Sequence, residues 1–255
     1  MLQKQSPDSY LSAFDYTVEP YLGCNFGCRY CFVPERGQIE TGQPVDRWGL
    51  WRRQAAVADI EAELQQHADV LSGARLCLGG ATDAWQPAEG KYRLTRRVLE
   101  ILSTSRVGFL LASTRSPIIL RDIDLLSRFG SRLRVAVSVG SDLESVRRAV
   151  EPQAPPFAHR LDTIRTLHDA GIDVRISVAP VLAYSGQFFD ALMQLGVVLW
   201  LDLPDRRTPA AAQAHMATGS EVLQLAAQLR ARYGPDRITF GSAQFPGHRP
   251  EGGPA

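Results

Sequence analysis

Between residues 15 and 203 the chain alternates short apolar runs with longer stretches in which apolar residues recur every three or four positions. The short runs predict strands and the recurring pattern predicts amphipathic helices. Strands are expected at 15–22, 75–78, 107–112, 133–139, 172–179 and 197–203. Helices are expected at 50–70, 91–104, 118–129, 142–150, 158–170, 186–195 and 219–232. In the first of these, Leu50, Ala56, Val57, Ile60 and Leu64 form the apolar side; Pro117 helps open the third, and Gly171 closes the helix at 158–170. The stretch 32–49 carries Pro34, Gly37, Gly42, Pro44 and Gly49 and is expected to be a long loop.

Strand follows helix follows strand, at about 31 residues per repeat, the size of a βαβ unit. Such alternation predicts an α/β fold with a parallel sheet. Six units give an open, partial (βα)6 TIM-like barrel. Residues 1–14 are expected to be a loose lead-in, 15–240 one barrel domain, and 241–255 a disordered Pro/Gly-rich tail.

Composition narrows the function classes. The 255 residues include 28 basic and 27 acidic ones, a formal net charge of +1, which argues against a general polyanion-binding surface. Residues 1–9 are polar and lack the apolar core of a signal peptide. The longest apolar runs are far short of a membrane span. Four cysteines, three of them clustered, do not make a disulfide framework. A cytoplasmic protein with reduced thiols and no membrane partner is expected.

The clustered cysteines are Cys24, Cys28 and Cys31, in Cys24-Asn25-Phe26-Gly27-Cys28-Arg29-Tyr30-Cys31 directly after the first expected strand. Thiolate is the soft ligand that selects zinc or iron–sulfur clusters. Zinc wants four ligands, usually as two separated pairs, and an ordinary four-iron cluster also wants four. Here the compact set stops at three, with no histidine nearby and the next cysteine at Cys77. Structural zinc and incidental buried thiols are the alternatives to a cluster with one open iron.

The C-x3-C-x2-C spacing, with an aromatic residue before the last cysteine, resembles the signature of the radical S-adenosylmethionine (SAM) enzymes. Thr82-Asp83-Ala84-Trp85-Gln86-Pro87-Ala88-Glu89 and Leu94-Thr95-Arg96 resemble the T-D-x-Y/W-Q-P-x-E and L-T-R stretch of the spore photoproduct lyase-like branch. Arg121-Asp122, Glu151-Pro152 with Arg160-Leu161, and Val178-Ala179-Pro180-Val181 match the same pattern. The likeness runs from about Tyr16 to Pro180.

The resemblance implies a [4Fe–4S] cluster on Cys24, Cys28 and Cys31, with SAM chelating the fourth iron. It also implies an external one-electron reductant of the flavodoxin or ferredoxin type. Cluster and SAM then yield a 5′-deoxyadenosyl radical that abstracts hydrogen from a substrate. Gly79 and Gly80 bring backbone to the amino group of SAM, and Thr82 and Asp83 lie beside SAM or order its loop. Arg115, where the branch usually has lysine, pairs with the SAM carboxylate; Ser138 bonds the ribose; Ala179 and Pro180 pack on adenine. Glu151 and Arg160 are read as a pair that either holds the wall of the site or, more simply, lies on the surface.

No catalytic residue beyond these is singled out, and the five histidines are scattered. The substrate is expected to be a small molecule or a peptide rather than nucleic acid. The lyases of this branch return hydrogen through a cysteine assisted by tyrosines, whereas that cysteine falls on Gly80 here. Tyr30 matches one tyrosine and Phe32 replaces the other. Cys77 is expected to face away from Gly80, by strand alternation, as a buried strand cysteine. A nucleic-acid lesion lyase and a non-catalytic zinc or iron–sulfur protein are the alternatives.

Overall fold

In the computed structural model, which describes residues 2–6, 9, 11–31, 33, 53–54, 57–203 and 213–241, the apolar runs assemble into one eight-stranded sheet. Its first edge is β1 (Leu2–Lys4), antiparallel to β2 (Tyr16–Val18). The chain then leaves the sheet for a separate antiparallel ribbon of β3 (Tyr21–Leu22) and β4 (Arg53–Gln54). It returns as β5 (Arg75–Leu78), β6 (Phe109–Thr114), β7 (Leu133–Ser138), β8 (Val174–Val178), β9 (Val198–Leu201) and β10 (Ile238–Phe240). From β2 onward all neighbours in the order β2-β5-β6-β7-β8-β9-β10 are parallel, and the sheet stays open between β1 and β10. The α/β parallel partial barrel is therefore as expected, with one parallel strand more at its far edge.

Side-chain alternation divides the sheet into two faces. Leu76, Leu110, Val135, Ile176 and Leu199 are fully buried on the outer face, under the helices. Each such burial contributes about 1.5–3 kcal/mol. Their inward neighbours, Cys77, Leu111, Ala136, Ser177 and Trp200, line a cavity instead. The outer helices include α1 (Val57–Gln66), α2 (Ala68–Leu71), α3 (Pro87–Tyr92) and α4 (Leu94–Thr104). After these come α5 (Ile123–Leu126), α6 (Glu144–Val150), α7 (Phe157–Asp169), α8 (Phe188–Met193) and α9 (Gly219–Tyr233).

Several boundaries differ from the sequence pattern. Arg53–Gln54, read as helix, pairs with Tyr21–Leu22, and the helix begins at Val57. The helix expected at 91–104 is two helices, broken where Arg93 adopts a left-handed φ of 56°. The one expected at 118–129 is a short α-helix between two 3-10 turns, Pro117–Asp122 and Ser127–Arg132. Leu2–Lys4, within the expected lead-in, is a strand. Nearly all of the long loop expected at 32–49, and nearly all of the 241–255 tail, lie outside the described residues.

Candidate functional site

The loops after the carboxyl ends of the strands surround a cavity of about 460 Å³. Cys24, Cys28 and Cys31, with Gly79, Gly80, Thr82 and Asp83, form one side of it. Arg115, Ser138, Ala179 and Pro180 continue the wall across β6, β7 and β8. The three cysteines and the eight residues expected around SAM thus meet in one place, although they come from five separate stretches of chain.

The cysteine loop is shaped by two turns at positive φ, Gly23 at 81° and Gly27 at 58°, a region glycine enters without steric penalty. The buried side chain of Gln86 clamps it, accepting from Asn25 N at 2.8 Å and donating to Gly23 O at 3.0 Å. Arg29 N donates to Val150 O at 2.8 Å, and Phe26 and Tyr30 pack with Val146, Val150 and Leu182. Burial pushes the Cys24 thiol up to about 12 and raises Cys28 and Cys31 as well. A metal would reverse this, since thiolates are what ligate. A zinc ion needs its sulfur ligands about 2.3 Å from one point. Among the described residues, no three Cys, His, Asp or Glu side chains converge on a single ion. Three soft sulfurs spread along one cavity wall suit an iron–sulfur cluster.

The loop after β5 is held from below by Glu19, which follows β2 and was not singled out in the sequence. Its carboxylate accepts from Ala81 N at 2.8 Å, Thr82 N at 3.0 Å and Thr82 Oγ1 at 3.0 Å. Burial pushes its pKa up to about 7 against the opposing pull of these hydrogen bonds. Gly79 has φ of 78°, and a Cβ there would stand 2.8 Å from Ser113 O. Asp83 ties this loop to the next strand end, accepting from Trp85 N at 2.9 Å, Thr114 Oγ1 at 2.7 Å and Arg115 N at 2.8 Å. Both of its oxygens are used, so it orders the loop.

Arg115 faces the cysteine loop. Its Nη1 lies 2.9 Å from Cys28 Sγ, 2.7 Å from Tyr30 Oη and 2.8 Å from Glu151 Oε1. Glu151 also accepts from Tyr30 Oη and from Arg160 Nη2. Burial alone would raise its pKa, but the Arg160 and Arg115 guanidiniums overcome that and hold it at about 2. The expectation of a surface pair is wrong: Glu151 and Arg160 are each only 2% exposed. Arg160 Nη1 donates to Ser138 O at 3.1 Å, which carries the network to the end of β7. Ser177, missed in the sequence, pairs in register with Ser138 and lines the same wall. Its alternation with Ala179 is the signal that points to it.

The other motif residues lie behind the wall. Glu89 is fully buried and binds Tyr21 Oη, Thr95 N and Arg121 Nη2, while Asp122 receives Trp85 Nε1 at 2.9 Å and Arg96 Nη1 at 3.0 Å. They brace the loops rather than line the cavity. Cys77 is also a correction. Its side chain lines the cavity, with Sγ 3.2 Å from where a Cβ on Gly80 would stand. Strand alternation ends at Leu78, and the positive φ of Gly79 turns the chain before Gly80.

Comparisons with known proteins agree with this geometry. An uncharacterized protein of Mycobacterium tuberculosis is 30% identical over 196 residues, covering 73% of this chain and 56% of that one. An uncharacterized protein of Methanocaldococcus jannaschii is 25% identical over 167 residues, 66% of this chain and 60% of that one. The chain thus spans little more than half the length of these relatives. Among solved structures, spore photoproduct lyase complexed with dinucleoside spore photoproduct superposes with a TM-score of 0.57 at 19% identity, over 80% of this chain and 58% of that one. Streptococcus suis SuiB bound to S-adenosylmethionine gives 0.60 at 11% identity, over 88% and 49%. Both likenesses speak to the fold. The model of the radical SAM superfamily matches residues 18–187, about two thirds of the chain. This chain belongs to the radical SAM superfamily, whose members use a [4Fe–4S] cluster and S-adenosylmethionine.

Proposed function

We propose that the chain is a radical SAM enzyme acting on a small molecule or a peptide, with Cys24, Cys28 and Cys31 as the cluster ligands. The observation that carries this reading is the meeting of the three cysteines and the eight further wall residues in one cavity. Its volume of about 460 Å³ lies in the range of small-molecule sites. When bound, cluster and SAM supply a carbon radical able to take hydrogen from an unactivated position, and the cofactor carries that chemistry.

The chain's own part is to bind, orient and exclude water. The amides of Ala81 and Thr82 both turn to Glu19. In a trans peptide the carbonyl points opposite to the N–H, so Gly80 and Ala81 present carbonyl oxygens on the other side, as acceptors for the SAM ammonium. Ser138 offers a hydroxyl for the ribose, and Ala179 and Pro180 an apolar surface for adenine. Arg115, already shared with Glu151 and Tyr30, offers the SAM carboxylate its remaining donors. Against nucleic acid stands the near-neutral charge, since gripping a phosphate backbone takes several positioned cations.

One observation favours the lesion-lyase alternative. Cys77 holds a buried thiol at the cavity wall beside Gly80, and a thiol is a good hydrogen-atom donor. The test is the anaerobically reconstituted, reduced protein incubated with SAM. Methionine and 5′-deoxyadenosine are expected, and neither is expected from alanine variants of Cys24, Cys28 or Cys31. No 5′-deoxyadenosine from the wild type would support the non-catalytic alternative. Multiple-turnover conversion of a thymine photoproduct dinucleotide, lost in Cys77→Ala, would replace the small-molecule reading with the lyase.

A further inference from the structure

The inside of the barrel has a second layer, below the cavity. Residues two apart on a strand share a face. Counting back from Cys77, Leu111, Ala136, Ser177 and Trp200, which line the cavity, gives Arg75, Phe109, Arg134, Arg175 and Val198. In parallel barrels the interior layers are filled mainly by bulky branched apolar side chains. Here three of the five inward positions are arginine, at or next to the first residue of β5, β7 and β8.

Two of the guanidiniums meet over Phe109, and the third, Arg175, feels the charge of Arg134. Those of Arg75 and Arg134 lie 5.3 and 6.0 Å from its ring centre, and Arg75 also lies 5.8 Å from the Phe14 ring. Arg134 donates to Asp173 Oδ2 through Nε at 2.9 Å and Nη2 at 2.7 Å. Arg75 Nε donates to Ala13 O at 2.9 Å, but its Nη2 is buried without a hydrogen-bond partner among the described residues. Arg175 Nε is likewise buried and unpartnered. Burial, and next the charge of Arg134, lower the pKa of Arg175; burial is also the main influence lowering that of Arg75, where Asp15 opposes and Arg134 adds to it.

Among the described residues, the acidic groups that act on Arg75 and Arg175 are Asp15 and Asp173, two carboxylates beside three guanidiniums. Each buried donor left without a partner is destabilising. Oxyanions match such a set, because the guanidinium fork fits their paired oxygens and the aromatic rings hold the forks in place. We propose that Arg75, Arg134 and Arg175 form a binding site for a small oxyanion, a phosphate or carboxylate group, at the amino-terminal mouth of the barrel. The site lies at the opposite end from the cysteine loop and does not rest on the reading of that loop.

The test is thermal melting of the reconstituted protein in inorganic phosphate, acetate or chloride at matched ionic strength, with iron content measured alongside. A saturable rise in Tm with phosphate, with acetate or with both is expected, and none with chloride. The two arms tell a phosphate site from a carboxylate site. Arg175→Gln and Arg75→Gln are expected to weaken that anion at least tenfold with iron content unchanged. Arg175→Lys is the milder variant should the others fail to fold, and it is expected to weaken the anion as well. Equal shifts in all three salts, or equal affinity in wild type and variants, would overturn the site. So would an Arg175→Met protein that melts higher than wild type and still responds to the anion, since the arginines would then be barrel filling alone.

Discussion

Glu151 is only 2% exposed, yet it receives hydrogen bonds from two guanidiniums and a phenol. Removing one partner of a buried ion pair costs about 3–5 kcal/mol, because the other charge stays buried and uncompensated. Glu151→Gln is therefore expected to destabilise the protein by that amount in denaturant melts. A loss below ~1 kcal/mol would mean that Arg115 and Arg160 find other acceptors. Glu19 gives a pH signature. Its folded pKa of about 7 lies above the ordinary carboxylate value, so its contribution is fully present below pH ~4.5. That contribution is lost as pH rises through 7, by ~3 kcal/mol for the shift involved. Glu19→Gln is expected to flatten the fall in stability between these limits; the same slope in wild type and variant would refute the assignment. From the chain alone the Glu151–Arg160 pair was legible, but not its bond to Tyr30 nor the role of Glu19. Glu151 meets Tyr30 across 121 positions and Glu19 meets Thr82 across 63, and no local pattern encodes such pairs.

At the scale of elements, the reading succeeded where an apolar run is nearly continuous. The strands β5 to β9 fall within or next to their predicted spans because both faces are covered, so apolar residues run almost continuously. It failed where tertiary pairing decides. Arg53–Gln54 has no strand pattern of its own and pairs with Tyr21–Leu22 in the ribbon beside the cysteine loop. Ile238–Phe240 is three residues long, following the turn at Gly234 and Pro235, and only its register with β9 makes it a strand. Two elements give predictions. Gly79→Ala would force a side chain into a left-handed turn and against Ser113 O. A loss of at least ~2 kcal/mol is expected, together with weaker SAM binding by equilibrium dialysis; unchanged binding would detach this loop from SAM. Thr218 caps α9 in a capping box, donating its amide to Glu221 Oε2 at 2.7 Å and accepting from Glu221 N at 3.3 Å. Thr218→Ala is expected to cost about 1 kcal/mol without altering iron content, which serves as the control for changes remote from the site.

For the whole molecule, the parallel barrel puts every chemically suggestive loop at one end of the sheet, which is why an open reading of scattered motifs converges on one cavity. The fold class and the cysteine set followed from alternation and spacing. What did not follow is the direction of Cys77, because the count across Gly79 assumed a straight strand. The central claim is that three cysteines, and no fourth, hold a cluster with an iron open to SAM. Electron paramagnetic resonance of the reduced, reconstituted protein tests it most directly. The account predicts a [4Fe–4S] signal whose line shape changes when SAM is added, in the wild type and equally in Cys77→Ala. A signal indifferent to saturating SAM, or a cluster lost with Cys77, would contradict it.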